Sequence, residues 1–235
     1  MLAALNGAGV DARYIQQIAD VASGQAFVWV SEAGENSIVV ALGANMALTP
    51  EHLTTAAVEA RSVYLAQLEC PVETIEAAFS LPAAKRGIRI LNAAPAEIEG
   101  QRLFPFTDIL IVNETELAKF AGLKAVPQLA DEIAAAARTL ITREGQTVIV
   151  TLGKDGAMAV TAAEHFSVPG RSAKVVDTTG AGDCFCGVLS ARLSEGASLR
   201  EAMSWANAAA ALSTQRPGAV PAMPSRAEIE AALGS

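Results

Sequence analysis

The chain has 235 residues, 51% of them apolar and 18% charged, with a net charge of −8. That balance excludes intrinsic disorder, which needs few apolar residues and many charges, and no run reaches the roughly 18 apolar residues of a membrane-spanning helix. The acidic excess argues against nucleic acid or an anionic membrane as partner, so a bound phosphate must be held by a local positive field from helix ends, a metal or single lysines.

The length suits one domain with a large core. Residues 1–6 are apolar and helix-like from the first residue. They lack a basic flank and a long apolar stretch, so they do not read as a signal peptide. Residues 26–30 and 37–41 are β-rich runs around Ser-Glu-Ala-Gly-Glu-Asn, a hairpin signal. Thr49-Pro50-Glu51 opens a helix expected over 49–60. A strand at 63–68 is followed by a helix over 72–86, with Pro82 near its end. Short buried strands follow at 88–91 and 109–112. Then come helices at 114–120, stopping near Gly122, and at 129–143. Residues 147–152 are a further strand, followed by a Gly-Lys-Asp-Gly turn and a run at 157–161. Helices are expected from Gly180 to about 193, over 199–212 and over 227–233. In the second of these, Leu199, Ala202, Met203, Ala206 and Ala210 share one face. Near-continuous apolar strands separated by helices describe an α/β fold, a mostly parallel sheet with helices on both faces.

Three cysteines, Cys70, Cys184 and Cys186, form no metal-binding spacing and no disulfide framework, which points to a reducing, cytoplasmic compartment. His52 and His165 have no triad or metal context and read as surface residues. Trp29 and Trp205 read as packing groups.

The chemistry concentrates in Val176-Asp177-Thr178-Thr179-Gly180-Ala181-Gly182-Asp183. The glycines lead into a helix whose Phe185, Val188, Leu189 and Leu193 face inward. Backbone N–H groups at such a helix start favour an anion, and glycine lets a ligand approach the backbone. A carboxylate in that first turn competes with a phosphate for the same field. The pattern makes sense if Asp183 is a base that takes a proton from an attacking hydroxyl. A plain helix cap explains the spacing about as well; the whole octapeptide favours the base. Asn113-Glu114-Thr115-Glu116 fits a capping box, with hydrated Mg²⁺ near Asn113 and Glu116 as the second reading. Thr151-Leu152-Gly153-Lys154-Asp155-Gly156 is a turn at a strand end, where open α/β sheets bind ligands; Lys154 itself reads as solvated.

Together these segments resemble the ribokinase family of PfkB-type sugar and nucleoside kinases. The resemblance rests on Gly34-Glu35-Asn36 to Gly43-Ala44-Asn45, Gln67-Leu68-Glu69, Asn92-Ala93-Ala94-Pro95, the Asn113–Glu116 and Thr151–Gly156 segments, Asp177–Asp183, and Ala206-Asn207-Ala208-Ala209-Ala210 through Pro224. It implies a three-layer ribokinase-like fold with a small β lid at 24–44, and ATP-dependent phosphorylation of the primary hydroxyl of a sugar, D-ribose first. It implies Asp183 as general base, with Gly180, Ala181 and Gly182 as the anion hole. Asn113, Thr151, Leu152, Gly153, Lys154, Asp155, Gly156, Gly182 and Asn207 would hold ATP. Asn113 and Glu116 would serve Mg²⁺, and Glu69 would approach the sugar. K⁺ would sit on Asp177, Thr179, Ser213, Arg216 and Gly218, several through carbonyls; Ala222 stands where the family often has a further serine ligand. The implied partners are a small sugar, ATP and a second copy through the lid.

The resemblance also implies that two βαβ-sized units lie upstream in typical members. They carry the first strand, a sugar-binding aspartate and a glycine-rich loop, and the domain over 1–235 lacks them. Weak or no ribose turnover is therefore expected of these 235 residues by themselves. Three readings follow: a kinase with a shortened start, a short protein that keeps a nucleotide site without substrate binding, and a kinase for another sugar or nucleoside. The intact downstream segments favour the first.

Overall fold

A computed structural model describes residues 2–30, 36–53 and 62–234. Helix α1 covers Leu2–Gly7, and strands β1 (Gln25–Val30) and β2 (Asn36–Ala41) pair antiparallel as a separate two-stranded sheet. Gly34 and Glu35 lie outside the described residues. So does most of the helix expected over 49–60, of which Pro50–His52 form a single 3₁₀ turn. There His52 Nδ1 accepts the Thr49 N–H at 3.0 Å, a cap for that turn.

Among the described residues the main sheet has six strands in sequence order: β3 (Val63–Gln67), β4 (Ile88–Asn92), β5 (Ile109–Asn113), β6 (Thr147–Thr151), β7 (Gly156–Val160) and β8 (His165–Pro169). The first four are parallel, and β7 and β8 add an antiparallel edge. Each parallel crossover steps one strand in the same direction. Right-handed crossovers then place every connecting helix on one face. These are α2 (Val72–Ser80), α3 (Glu114–Phe120) and α4 (Ala130–Thr139). The other face is covered by α5 (Ala181–Ser194) and α6 (Leu199–Ser213), with α7 (Arg226–Gly234) packed outside them.

The strand period of two sorts the core into two layers. Leu110, Val112, Val148 and Val150 pack with Ile75, Phe79, Leu117 and Ile133 on one side. Ile109, Ile111 and Ile149 pack with Phe185, Leu189, Met203 and Ala206 on the other. The α6 face expected from sequence is the buried one. Among the described residues no helix is long and apolar enough to cross a membrane.

Three local expectations need correction. The 72–86 helix ends at Ser80, before Pro82, and resumes only as a 3₁₀ turn at Ala84–Arg86. The 129–143 helix stops at Thr139, because Gln146 Oε1 accepts the Thr142 N–H at 2.8 Å and holds the following residues as a loop. Gln146 is 1% exposed, and its Nε2 donates to the Phe104 and Thr107 carbonyls. The third is β8, which the sequence did not signal. At the amino ends of the strands, Asp108 accepts hydrogen bonds from Arg89 and pairs with Arg143. Burial opposes that ionised carboxyl, but the Arg89 bonds prevail and lower its pKa.

Candidate active site

Because β4, β5 and β6 run parallel, Asn92, Asn113 and Thr151 emerge at one edge of the sheet, with Asn113 directly opposite Thr151. Asn113 caps α3: its Oδ1 accepts the Glu116 N–H, and Glu116 Oε2 accepts the Asn113 N–H, both at 2.8 Å. The capping box is therefore real. It also fixes the Glu116 carboxylate, whose pKa is raised by desolvation. Each carboxylate oxygen carries two lone-pair sites, so the cap does not exhaust it.

Beyond Thr151 the chain turns through Gly153–Asp155, and the Leu152 N–H donates to the Gly156 carbonyl at 2.8 Å. Leu152 packs toward the core, whereas Gly153, Lys154 and Asp155 are exposed.

Across this edge stands the start of α5. Gly180 adopts φ 76° and ψ 3°, left-handed backbone that favours glycine. A Cβ there would lie 3.2 Å from the Ala219 Cβ. Gly180 brings no capping side chain; the Ala181 N–H donates to the Thr178 carbonyl at 3.2 Å, and Ala181 and Gly182 reach the cavity described below. Asp183 follows within that turn. Its pKa is raised, first by desolvation and then by the negative charge of Glu69. Glu69, half-buried just past β3, is close enough for its charge to reach Asp183. Burial pushes the Cys186 thiol up to about 12, and the Asp183 and Glu116 carboxylates add to the shift.

A cavity of about 630 Å³ opens between these elements. Thr151, Gly153, Lys154, Asp155 and Gly156 line it from the β6–β7 turn, Ala181 and Gly182 from α5, and Asn207 from α6. Asn113, Glu116, Glu69 and Asp183 are not among its lining residues. Sequence reasoning missed the opposite wall, Gly170–Ala173 and Val175, which follows the unforeseen β8. It also missed Ala210, Ala211 and Thr214. The signal was present: Asn207, Ala211 and Thr214 recur at helical spacing beside the recognised core face of α6.

The residues expected at a monovalent cation form a second cluster behind Gly180. Asp177 Oδ1 accepts the Thr179 N–H at 2.9 Å and the Thr179 hydroxyl at 2.7 Å. The Thr214 carbonyl, one residue past buried Ser213, accepts the Val176 N–H at 2.7 Å. The Thr179 hydroxyl chiefly, with the Gly218 N–H, holds the Asp177 carboxyl below the usual range. Arg216 pairs its side chain with Glu228, so any ligand from Arg216 is its backbone carbonyl.

The model of the pfkB family of carbohydrate kinases matches residues 1–226. The ribokinase of Staphylococcus aureus (strain COL) is 33% identical over 225 residues, covering 94% of this chain and 73% of that protein. The crystal structure of ribokinase from Thermotoga maritima aligns with TM-score 0.79 and 34% identity, over 92% of this chain and 71% of that one. Arabidopsis thaliana ribokinase complexed with ribose and ATP aligns with TM-score 0.84 and 30% identity, over 97% and 74%.

Proposed function

The chain belongs to the pfkB family of carbohydrate kinases, and we propose that it transfers the terminal phosphoryl group of ATP to the primary hydroxyl of a sugar, D-ribose giving D-ribose 5-phosphate. One observation carries this reading: a carboxylate of raised pKa, Asp183, sits in the first turn of a glycine-opened helix whose amides border a nucleotide-sized cavity. The similarity to a ribokinase complexed with ribose and ATP supports both substrates.

The residues divide the work as follows. ATP lies in the cavity against the Thr151–Gly156 turn and Asn207. The amides at Gly180 and Gly182, joined by that of Ala181 once it leaves the Thr178 carbonyl, meet the oxygens of the transferring phosphoryl group, where negative charge accumulates. Asp183 takes the proton of the sugar hydroxyl as its oxygen bonds to phosphorus; the bond to the β-phosphate oxygen breaks and ADP leaves. Burial and Glu69 raise the basicity of Asp183, which suits a base working near neutral pH. Glu69 orients the sugar. Asn113 and Glu116 would hold Mg²⁺ through water, and the metal would supply charge neutralisation between the phosphates.

The Asp177 cluster fits a weakly hydrated monovalent cation such as K⁺: its donors are hard oxygens, and its carboxylate stays ionised and keeps a free lone-pair site. Thr179, Ser213, Arg216 and Gly218 complete the proposed set. Exposed Phe27, Val39 and Val40 on the β1–β2 hairpin support a second copy of the chain as its partner. The three cysteines are unpaired, which supports a reducing, cytoplasmic setting.

The test is sugar-dependent ADP release with Mg²⁺ and K⁺ across a panel of pentoses, hexoses and nucleosides, with the product identified by mass and ³¹P NMR. For a chain of its relatives' full length, ADP release with ribose, yielding a 5-phosphate, is expected, whereas these 235 residues by themselves are expected to turn over weakly or not at all. In the longer chain, release that no sugar stimulates, or preference for a nucleoside acceptor, overturns the assignment.

A further inference from the structure

Asn207 is 6% exposed and lines the cavity, yet it spends its amide hydrogens on the protein. Its Nδ2 donates to the Val168 carbonyl at 3.0 Å and to the Pro169 carbonyl at 3.2 Å. Only its Oδ1 is left for a ligand. The bonded carbonyls close β8, and the next residue, Gly170, begins the wall that sequence reasoning missed. The Gly170 N–H donates to the Asp155 carbonyl at 3.1 Å, inside the β6–β7 turn. A Cβ on Gly170 would overlap the Lys154 carbonyl, and one on Gly156 would overlap the Val168 carbonyl and the Gly170 nitrogen. Two backbone segments therefore cross in direct contact at the rim of the cavity, and a buried amide from α6 holds one of them in place.

We propose that Gly170 and Asn207 are positioning residues that clamp the Gly153–Gly156 turn against the Gly170–Val175 wall, so that the nucleotide meets a preformed surface. The proposal rests on the kinase reading and adds to it the device that shapes its nucleotide site. A turn with glycines at two of four positions and its first three residues exposed is otherwise free to sample many conformations. Ordering it on binding would cost affinity, and a clamp formed during folding removes that cost. The crossing leaves no room for a side chain at Gly170, so this residue contributes no side-chain contact to a ligand. Any effect of Gly170→Ala on nucleotide affinity must act through the turn.

The experiment titrates ADP with Mg²⁺ into wild type, Gly170→Ala, Asn207→Leu and the double variant, well below the melting temperature of each. Each single variant is expected to raise Kd about tenfold. The double variant should raise it far less than the roughly hundredfold product, because both changes release the same clamp. Wild-type affinity in Gly170→Ala, or effects that multiply, overturns the proposal. Amide exchange in nucleotide-free Asn207→Leu provides a second reading that does not depend on Gly170→Ala folding. The Gly170 amide should exchange at least about tenfold faster while the Val148–Val150 amides are unchanged; an unchanged Gly170 rate overturns the clamp. Failure of wild type to bind ADP would count against the kinase reading, whereas the exchange measurement still decides the clamp.

Discussion

Asp177 and Gly218 are joined across the chain by one hydrogen bond, from the Gly218 N–H to Asp177 Oδ2 at 2.8 Å. The other Asp177 oxygen organises Thr179, one residue before Gly180. A single carboxylate thus fastens the turn that opens α5 to the segment that follows α6. Asp177→Ala removes three accepted hydrogen bonds and the proposed cation's charged ligand. The expected result is a rise of about tenfold or more in the K⁺ concentration for half-maximal rate, checked by titrating KCl at constant ionic strength. Replacing K⁺ with Na⁺ should lower the rate of wild type and leave the variant little affected; an unchanged wild-type rate counts against the cation. The lowered pKa of Asp177 sets the acid behaviour of this tie. Its contribution is complete above the ordinary carboxylate value of about 3.9 and is lost as pH falls through the depressed folded value.

Asp183→Asn, made in a chain that turns over, tests the base. It keeps the size of the side chain and removes its ability to accept a proton. We expect kcat to fall by about 10³-fold or more while ADP affinity stays within about threefold of wild type. Turnover that survives the change removes Asp183 from the mechanism. The raised pKa of Asp183 also carries a stability prediction. A carboxyl whose folded pKa lies above its unfolded value favours the native state at low pH, and that advantage is lost as pH rises through the folded value. At neutral pH Asp183→Asn should therefore melt no lower than wild type, and slightly higher, in a thermal scan.

Glu69 is the second cause of the Asp183 shift, after desolvation. Neutralising it should let Asp183 ionise at lower pH. In Glu69→Gln the acid limb of the kcat profile should move toward lower pH, alongside a KM for sugar raised about tenfold if Glu69 also orients that substrate. A rise in KM with an unmoved acid limb would assign Glu69 to the sugar alone.

Gly180 tests the anion turn. Alanine in left-handed backbone costs roughly 1–2 kcal/mol, and its Cβ would press on Ala219 at 3.2 Å. Gly180→Ala should lower Tm by about 3–8 °C and reduce kcat/KM for ATP by about 10–100-fold, because the amides behind it rotate out of place. Adding Ala219→Gly removes the Cβ contact, leaves the Ala219 Cα at 3.3 Å and does not change φ, so it should recover part of the stability and little of the rate.

The parts of the molecule that were readable from sequence are those under strict local demands. A left-handed glycine before a helix, a carboxylate in its first turn and the reciprocal cap of Asn113 and Glu116 each leave a signature within a few residues. Uninterrupted runs such as Ile109–Val112 are readable because they are buried on both faces. Strand β8 left no such trace: only Val168 is buried in it, since the strand lies at a sheet edge. The end of α4 is set by Gln146, which acts from beyond the helix. The wall at Gly170–Val175 and the inward turn of Asn207 depend on contacts across 38 and 39 residues, which local patterns do not encode.

Cys184 and Cys186 flank the same helix start and offer a probe of its closure. Burial chiefly raises the Cys184 thiol to about 11 and the Cys186 thiol to about 12, far above the pH at which thiols are usually alkylated. Cys70 is only half-buried, and its thiol is raised by burial and then by Glu69. Iodoacetamide at about pH 8 should modify Cys70 first and leave the α5 pair at least about a hundredfold slower, since the thiolate is the reactive form. Peptide mapping by mass spectrometry measures this. Fast labelling of Cys184 would mean that the first turn of α5 opens in solution, which a preformed anion site does not allow. The same labelling with saturating ADP separates the cases: a turn that opens only without ligand becomes protected, and one already closed shows no change.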